Sequence, residues 1–112
     1  MVATFVLVDE DDRYLRYNYY PNANEAKGFG VIQIDMFAGR IDITKLAPTD
    51  YLTRQNKMGV LETCTRKELE DGKWPDAEAE EISTLFASHV VDKIVQSLEQ
   101  EQVPEEGTVT WY

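Results

Sequence analysis

Short apolar runs separated by polar clusters fill the first part of the chain, and their period indicates β-strands. Residues 2–8 form an apolar, β-branched run that ends at four consecutive acids, residues 9–12, as expected for a strand followed by a turn. Residues 13–20 form the next predicted strand. Because side chains alternate between the two sides of a strand, Tyr17 and Tyr19 share one face of it.

A second hairpin is indicated by residues 29–35 and 40–46, in which isoleucines recur at alternate positions. Gly39 lies between the two arms, where a glycine adopts positive φ without steric cost. Residues 1–46 are therefore predicted to form a four-stranded antiparallel meander.

After Pro48 the apolar period becomes helical, although weakly at first. Thr49 or Asp50 can cap a helix that runs to about Asp71. Gly59 lies inside this segment and costs about 1 kcal/mol relative to alanine, so a break near it is possible.

A stronger helical pattern covers residues 76–101, with Asp76 as the predicted N-cap. Its apolar positions are spread too widely for one narrow stripe, which predicts burial against more than one neighbour. They include Ile82, Leu85, Phe86, Val90, Val91, Ile94, Val95 and Leu98. Residues 108–112 alternate and end in two aromatic side chains, as in a fifth strand that rejoins the sheet.

The predicted fold class is α+β in the order ββββααβ, with a mainly antiparallel five-stranded sheet and two helices packed on one face. At 112 residues the chain is expected to be one domain. It comprises the meander over 1–46, the helical pair over 49–101 and the closing strand over 108–112.

Two stretches, FASHVVDKI in the second helix and EEGTVTWY at the closing strand, carry a resemblance. With the central hairpin, they resemble a family of small uncharacterised proteins of Gram-positive bacteria. The resemblance implies a strand meander, a helix and a C-terminal aromatic strand. It implies no activity, so it assigns no functional residue.

The negative charge of the chain is concentrated near the second helix. Residues 76–106 contain nine acids and one base, Lys93, and so carry about −8 of the total of −10. Such a surface repels phosphates and attracts basic proteins, which predicts a basic protein partner and no binding to nucleic acid or membranes. Glu78, Glu80 and Glu81 are the predicted partner-binding residues.

The sequence offers few groups for catalysis or metal binding. It has one cysteine, Cys64, and one histidine, His89, so neither a disulfide within the chain nor a tetrahedral zinc site of the usual kind is expected, and no cofactor is predicted. A pair formed by Cys64 and His89 stays open, because two packed helices could bring them together. The acids of residues 9–12 lack the glycine and the distant glutamate of a calcium loop.

Two functional hypotheses follow. The first is a small acidic interaction or regulatory module without catalytic activity, which forms a homodimer through its wide apolar surface or its terminal strand. The alternative is a small-ligand-binding protein or enzyme with a pocket between sheet and helix, lined by Tyr17, Tyr19, His89 and Trp111. Residues 1–8 lack a basic leader, and no apolar run approaches the roughly 20 residues of a membrane span, so a cytoplasmic location is expected.

Overall fold

A computed structural model of the protein describes residues 1–75 and 81–111, and within them it confirms the predicted α+β class. These residues form two sheets, two α-helices and one short 3₁₀ helix, Glu25–Lys27. The strands are β1 (Val2–Glu10), β2 (Tyr14–Pro21), β3 (Gly30–Asp35), β4 (Arg40–Lys45), β5 (Leu52–Gln55), β6 (Leu61–Cys64), β7 (Ser83–Thr84) and β8 (Glu106–Thr110), and the helices are α1 (Arg66–Glu70) and α2 (Phe86–Glu99).

The larger sheet contains five strands in the order β4-β3-β2-β1-β8, and every neighbouring pair is antiparallel. The first four strands form the predicted meander. The predicted closing strand is also present, and it pairs with β1 of its own chain, where Phe5 lies opposite Gly107. Tyr112, which the sequence assigns to that strand, lies outside the described residues.

One face of this sheet and one side of α2 form the hydrophobic core. The helix contacts β1, β2, β3 and β8, so it lies across the middle of the sheet. Alternation along β2 places Tyr17 and Tyr19 on one face, as predicted, and this face lies in the core. The buried cluster consists of Ala3, Phe5, Leu15, Tyr17, Tyr19, Ile32, Ile34, Ala47, Phe86, Ala87, Val90 and Ile94.

Two glycines in this sheet make room for aromatic rings. A Cβ on Gly30 would lie 2.1 Å from the ring of Tyr19, and a Cβ on Gly107 would lie 2.5 Å from the ring of Phe5. Both rings therefore lie over glycines on neighbouring strands, an arrangement that fills the space a side chain would take.

The helix predicted over residues 49–71 is wrong for most of its length. The structure has a β-hairpin there, with β5 and β6 joined through residues 56–60, and the helix is reduced to α1. Gly59 has a φ of +79°, so the glycine that weakened the helical prediction closes a hairpin turn. β7 adds to the other side of β5 to complete a three-stranded sheet.

Helix α1 is short but capped at its N-terminus. The Thr65 hydroxyl accepts a hydrogen bond from the backbone N–H of Glu68 at 3.2 Å, and the carboxylate of Glu68 lies 3.3 Å from the same hydroxyl. The sequence T-R-K-E thus begins a helix with threonine and glutamate three residues apart, the spacing of a capping box.

Helix α2 begins ten residues later than predicted. Residues 83–84 form β7 instead of helix, and the predicted cap Asp76 lies outside the described residues. The cap comes from a distant residue: the Asp50 carboxylate accepts hydrogen bonds from the N–H groups of Phe86 at 2.8 Å and Ala87 at 3.1 Å. The sequence predicts Thr49 or Asp50 as the cap of a helix that follows directly, whereas the structure has Asp50 as the cap of a different helix.

Candidate functional site

Two of the four residues predicted to line a ligand pocket, Tyr17 and Tyr19, lie inside the core. Tyr17 and Tyr19 are fully buried, and both hydroxyls are engaged within the protein. The Tyr17 hydroxyl donates to the carbonyl of Pro104 at 2.7 Å, and the Tyr19 hydroxyl donates to Asp50 at 2.7 Å. Burial, followed by the negative charge of Glu10, raises the pKa of Tyr17 to about 12. These two tyrosines hold the fold together.

Tyr19 and Asp50 form a buried polar cluster beneath the start of α2. The Tyr19 hydroxyl also accepts a hydrogen bond from the N–H of Ala47 at 3.0 Å, and Asp50 accepts one from the N–H of Tyr51 at 2.7 Å. Burial, together with the charge of Asp50, raises the pKa of Tyr19. The cluster joins β2, the β4–β5 connection and α2 at one point.

The other two residues predicted to line that pocket, His89 and Trp111, lie side by side. Their rings are stacked at 4.0 Å between centroids with 16° between planes, and Phe86 packs edge-on against the same indole at 5.5 Å. His89 lines a cleft of about 340 Å³ between α2 and β8. We call this the His89 cleft; its lining is His89, Asp92, Lys93, Gln96, Thr108, Val109 and Thr110.

Cys64 lies in the small sheet, opposite Leu52 on β5, whereas His89 packs beside β8 of the large sheet. Cys64 is buried, and burial raises the pKa of its thiol, which disfavours the reactive thiolate. Within residues 1–75 and 81–111, no group of three or more histidine, cysteine, aspartate or glutamate side chains is arranged to hold a metal ion.

Of the acids at residues 9–12, Asp9 and Glu10 end β1, and Asp11 and Asp12 lie in the β1–β2 turn. The Asp11 carboxylate accepts hydrogen bonds from the N–H groups of Arg13 at 2.8 Å and Tyr14 at 2.7 Å. These backbone donors, that of Tyr14 first, lower the pKa of Asp11. The carboxylate therefore stabilises a turn.

The most exposed group of apolar side chains lies on the β5–β6 hairpin. Met58 is 88% exposed, Leu61 is 57% exposed and Val60 is 55% exposed. We call these three residues the hairpin tip. Exposed apolar side chains close together in sequence make the hairpin tip a candidate interaction surface.

The turn that carries the hairpin tip is well ordered by hydrogen bonds. The side-chain oxygen of Asn56 accepts from the N–H groups of Met58 at 2.9 Å and Val60 at 3.0 Å. The Asn56 N–H donates to the carbonyl of Val60 at 3.0 Å, and the Gly59 N–H donates to the carbonyl of Asn56 at 2.9 Å. The apolar side chains are thus presented on a defined backbone.

The base of the hairpin is also fixed, by a cluster around Trp74. The guanidinium of Arg54 lies 4.8 Å from the centre of the Trp74 ring and 3.5 Å from the carboxylate of Glu62. The indole N–H of Trp74 donates to Glu62 at 3.1 Å, which closes the cluster. Because Trp74 is buried, this cluster anchors both strands.

Glu81 brings negative charge to the same hairpin. It lines a cleft of about 410 Å³ that reaches Leu61 and a second of about 470 Å³ that reaches Met58. Arg54 and Gln55 are shared by both clefts. Of the three predicted partner-binding acids, Glu81 therefore lies beside the hairpin tip, whereas Glu78 and Glu80 lie outside the described residues.

The hairpin tip is not apparent from the sequence because the weak apolar stripe of residues 49–71 predicts a helix. The signal was present: Asn56 and Gly59 are three residues apart and flanked by threonine-containing runs that suit strands. With that turn recognised, Met58 would have been placed at an exposed loop.

No protein-family model, curated protein or solved structure matches this chain. The resemblance stated from the sequence therefore stays a prediction. Among the helices of the described ranges, none is both long and apolar enough to cross a membrane.

Proposed function

We propose that the protein is an interaction module that docks on another protein through its hairpin tip. The observation that carries the proposal is the presence of three large apolar side chains, each more than half exposed, on one ordered turn. Apolar anchors that insert into a partner's pocket supply most of the binding energy in many interfaces. An anchor already held in its bound conformation loses little entropy on binding.

The net charge of the chain favours a basic partner. Beside the tip, Glu81 shares both clefts with the base Arg54 and one of them with Lys57. Glu78 and Glu80 precede Glu81 closely in sequence. The whole chain carries −10. A partner with an apolar pocket and a rim of lysine or arginine complements this arrangement, and long-range attraction speeds its association. The on-rate should fall as salt rises, because the Debye length is about 8 Å at physiological ionic strength.

A second candidate function is the binding of a small ligand in the His89 cleft. The observation that favours it is the His89–Trp111 stack beside Lys93 and Asp92, which places aromatic, basic and acidic groups at one concave surface. Clefts of this kind combine apolar contact with a few polar groups that orient a ligand.

The hairpin proposal is tested by quantitative copurification of proteins from the native host. The variant Met58→Ser, Val60→Thr, Leu61→Thr removes the apolar tip and keeps strand-forming residues. We expect at least a tenfold loss of the captured partner, since anchor residues contribute more than about 1.4 kcal/mol. The charge-reversal variant Glu78→Lys, Glu80→Lys, Glu81→Lys should also weaken capture while the fold persists.

Phe37→Ser is the matched control. Phe37 is 73% exposed at the tip of the β3–β4 hairpin, so the variant removes a comparable apolar side chain elsewhere. It should leave capture unchanged. Equal capture by the wild type and the hairpin-tip variant would reject the proposal, as would equal loss in the Phe37→Ser control.

A further inference from the structure

Beyond the hairpin proposal and independent of it, we infer that two copies of the protein pair through the outer edge of β8 to form one continuous sheet. β8 lies at one end of the five-stranded sheet. In the described part of the chain, β1 is the strand that pairs with β8. The opposite edge of β8 therefore offers backbone groups to a further strand.

The hydrogen bonds between β1 and β8 show which groups point outward. Met1 and Trp111 exchange both of their backbone hydrogen bonds, and the N–H of Leu7 donates to the carbonyl of Glu105. Because antiparallel pairs alternate, the odd-numbered residues of β8 bond to β1. The N–H and C=O groups of Glu106, Thr108 and Thr110 consequently point away from the sheet.

These outward groups match those of a second copy. A two-fold axis at Thr108 places this residue opposite its own counterpart, so that each Thr108 N–H donates to the other Thr108 carbonyl. The same register places Glu106 opposite Thr110 of the second copy. No like charges face each other, and threonine pairs across strands are favourable.

The two edge strands of the sheet, β4 and β8, differ in their content of charged side chains. β4, at the far end, carries Arg40, Asp42 and Lys45, and charged side chains of this kind discourage strand addition. β8 carries one charged side chain, Glu106 at its first position, and its remaining residues, 107–110, are uncharged. An edge strand with this little charge is open to strand pairing unless it is covered.

The His89 cleft lies along the same edge, since Thr108, Val109 and Thr110 form part of its lining. A second copy paired at β8 adds a wall to the open side of this cleft. The dimer therefore also completes the concave surface beside His89 and Lys93.

Light scattering and concentration-dependent hydrogen exchange test this dimer. The wild type should have twice the 12.9 kDa chain mass at high micromolar concentration. The amides of Thr108 and Thr110 should become protected as concentration rises, whereas the amide of Val109, which bonds to β1, should be protected throughout. A monomer at high micromolar concentration, or Thr108 exchange that is independent of concentration in a dimer, would overturn the inference.

Charge substitutions then test the register. Thr108→Lys should be monomeric because it places two lysines opposite each other, and Thr108→Glu should be monomeric for the same reason. An equimolar mixture of the two should regain the dimer mass. Thr44→Lys on the β4 edge is the matched control and should stay dimeric. A mixture that remains monomeric, or a Thr108→Lys variant as dimeric as the wild type, would refute pairing at Thr108.

Discussion

At the scale of the residue, Asp50 connects β2, the β4–β5 connection and α2 through hydrogen bonds that no sequence pattern indicated. Its buried carboxylate accepts hydrogen bonds from the Tyr19 hydroxyl and from the N–H groups of Tyr51, Phe86 and Ala87. The helix dipole adds to these bonds, since the N-terminus of α2 carries partial positive charge. One carboxylate thus stabilises both the core tyrosine and the start of the main helix.

Replacing Asp50 by alanine should therefore be strongly destabilising. We expect the free energy of unfolding to fall by more than about 3 kcal/mol, because a helix cap is lost and a buried tyrosine hydroxyl loses its acceptor. Chemical denaturation measures the change. Asp42→Ala, on the exposed edge strand, is the control and should change stability by less than about 0.5 kcal/mol. Similar losses in both variants would contradict the role of Asp50.

The buried tyrosines predict alkaline unfolding. The folded state holds Tyr17 protonated with a pKa of about 12, above its ordinary value of 10.0, and the pKa of Tyr19 is also raised. Their contribution to stability is therefore complete below pH 10 and is lost as the pH rises from 10 through 12. Denaturant melts at several pH values should show this fall. By pH 12 the free energy of unfolding of Tyr17→Phe should have fallen by about 2 kcal/mol less than that of the wild type, since one pKa unit corresponds to about 1.4 kcal/mol. An unchanged pH profile in that variant would refute the assignment.

At the scale of the element, α2 is followed by a residue whose backbone adopts the left-handed conformation. Glu101 has a φ of +59°, and the N–H groups of Glu101 and Gln102 donate to the carbonyls of Leu98 and Ser97. This is the hydrogen-bond pattern of a helix terminus that usually carries glycine. A glutamate adopts this conformation at an energetic cost that a glycine avoids.

Glu101→Gly should therefore stabilise the protein, by about 1 kcal/mol. The substitution also removes an acid from a strongly negative segment, so Glu101→Gln is measured beside it to isolate the charge effect. Thermal melts of the three proteins separate the contributions. A melting temperature of Glu101→Gly no higher than that of Glu101→Gln would contradict the backbone argument.

The last strand is the other element whose removal is informative. Trp111 packs on His89 and Phe86, and β8 pairs with residues Val2 to Val6 of β1. Deleting residues 108–112 should cost several kcal/mol, a large share of the 5–15 kcal/mol typical of a domain. Circular dichroism during heating gives the measurement, and an unchanged melting temperature would refute the importance of β8.

At the scale of the whole molecule, charge determines what the surface attracts. The net charge of −10 at neutral pH repels phosphate groups that come within about a Debye length of the surface. Two of the four tyrosines of β2, Tyr17 and Tyr19, are buried and unable to stack on bases. The acidic surface and the hairpin tip both favour a protein partner.

We accordingly expect no binding to nucleic acid. Single- and double-stranded DNA should show no shift in a gel at low salt, where electrostatic attraction would be strongest. In a separate control, the protein should bind lysozyme, a basic protein of similar size, weakly and in a salt-dependent way, because only net charge attracts the two. A DNA shift by the wild type would overturn this expectation.

The sequence alone determined the elements whose period is regular. Alternation over residues 1–46 and 108–112 predicted the five-stranded sheet, and the periodic residues 76–101 predicted a helix, of which the structure shows residues 86–99, because in both cases one face must be buried. The same logic failed over residues 49–71, where the apolar stripe was weak and local turn chemistry at Asn56 and Gly59 decided the conformation.

Only the tertiary structure decided which distant groups meet. Asp50 caps a helix that begins 36 residues later, and His89 stacks on Trp111. The hydroxyls of Tyr17 and Tyr19 donate hydrogen bonds to groups within the protein. Sequence patterns report burial and period, which are local properties of a strand or helix. Hydrogen-bond partners, and the exposure of the hairpin tip, depend on how sheets and helix pack in space, and that packing is not encoded in any single segment.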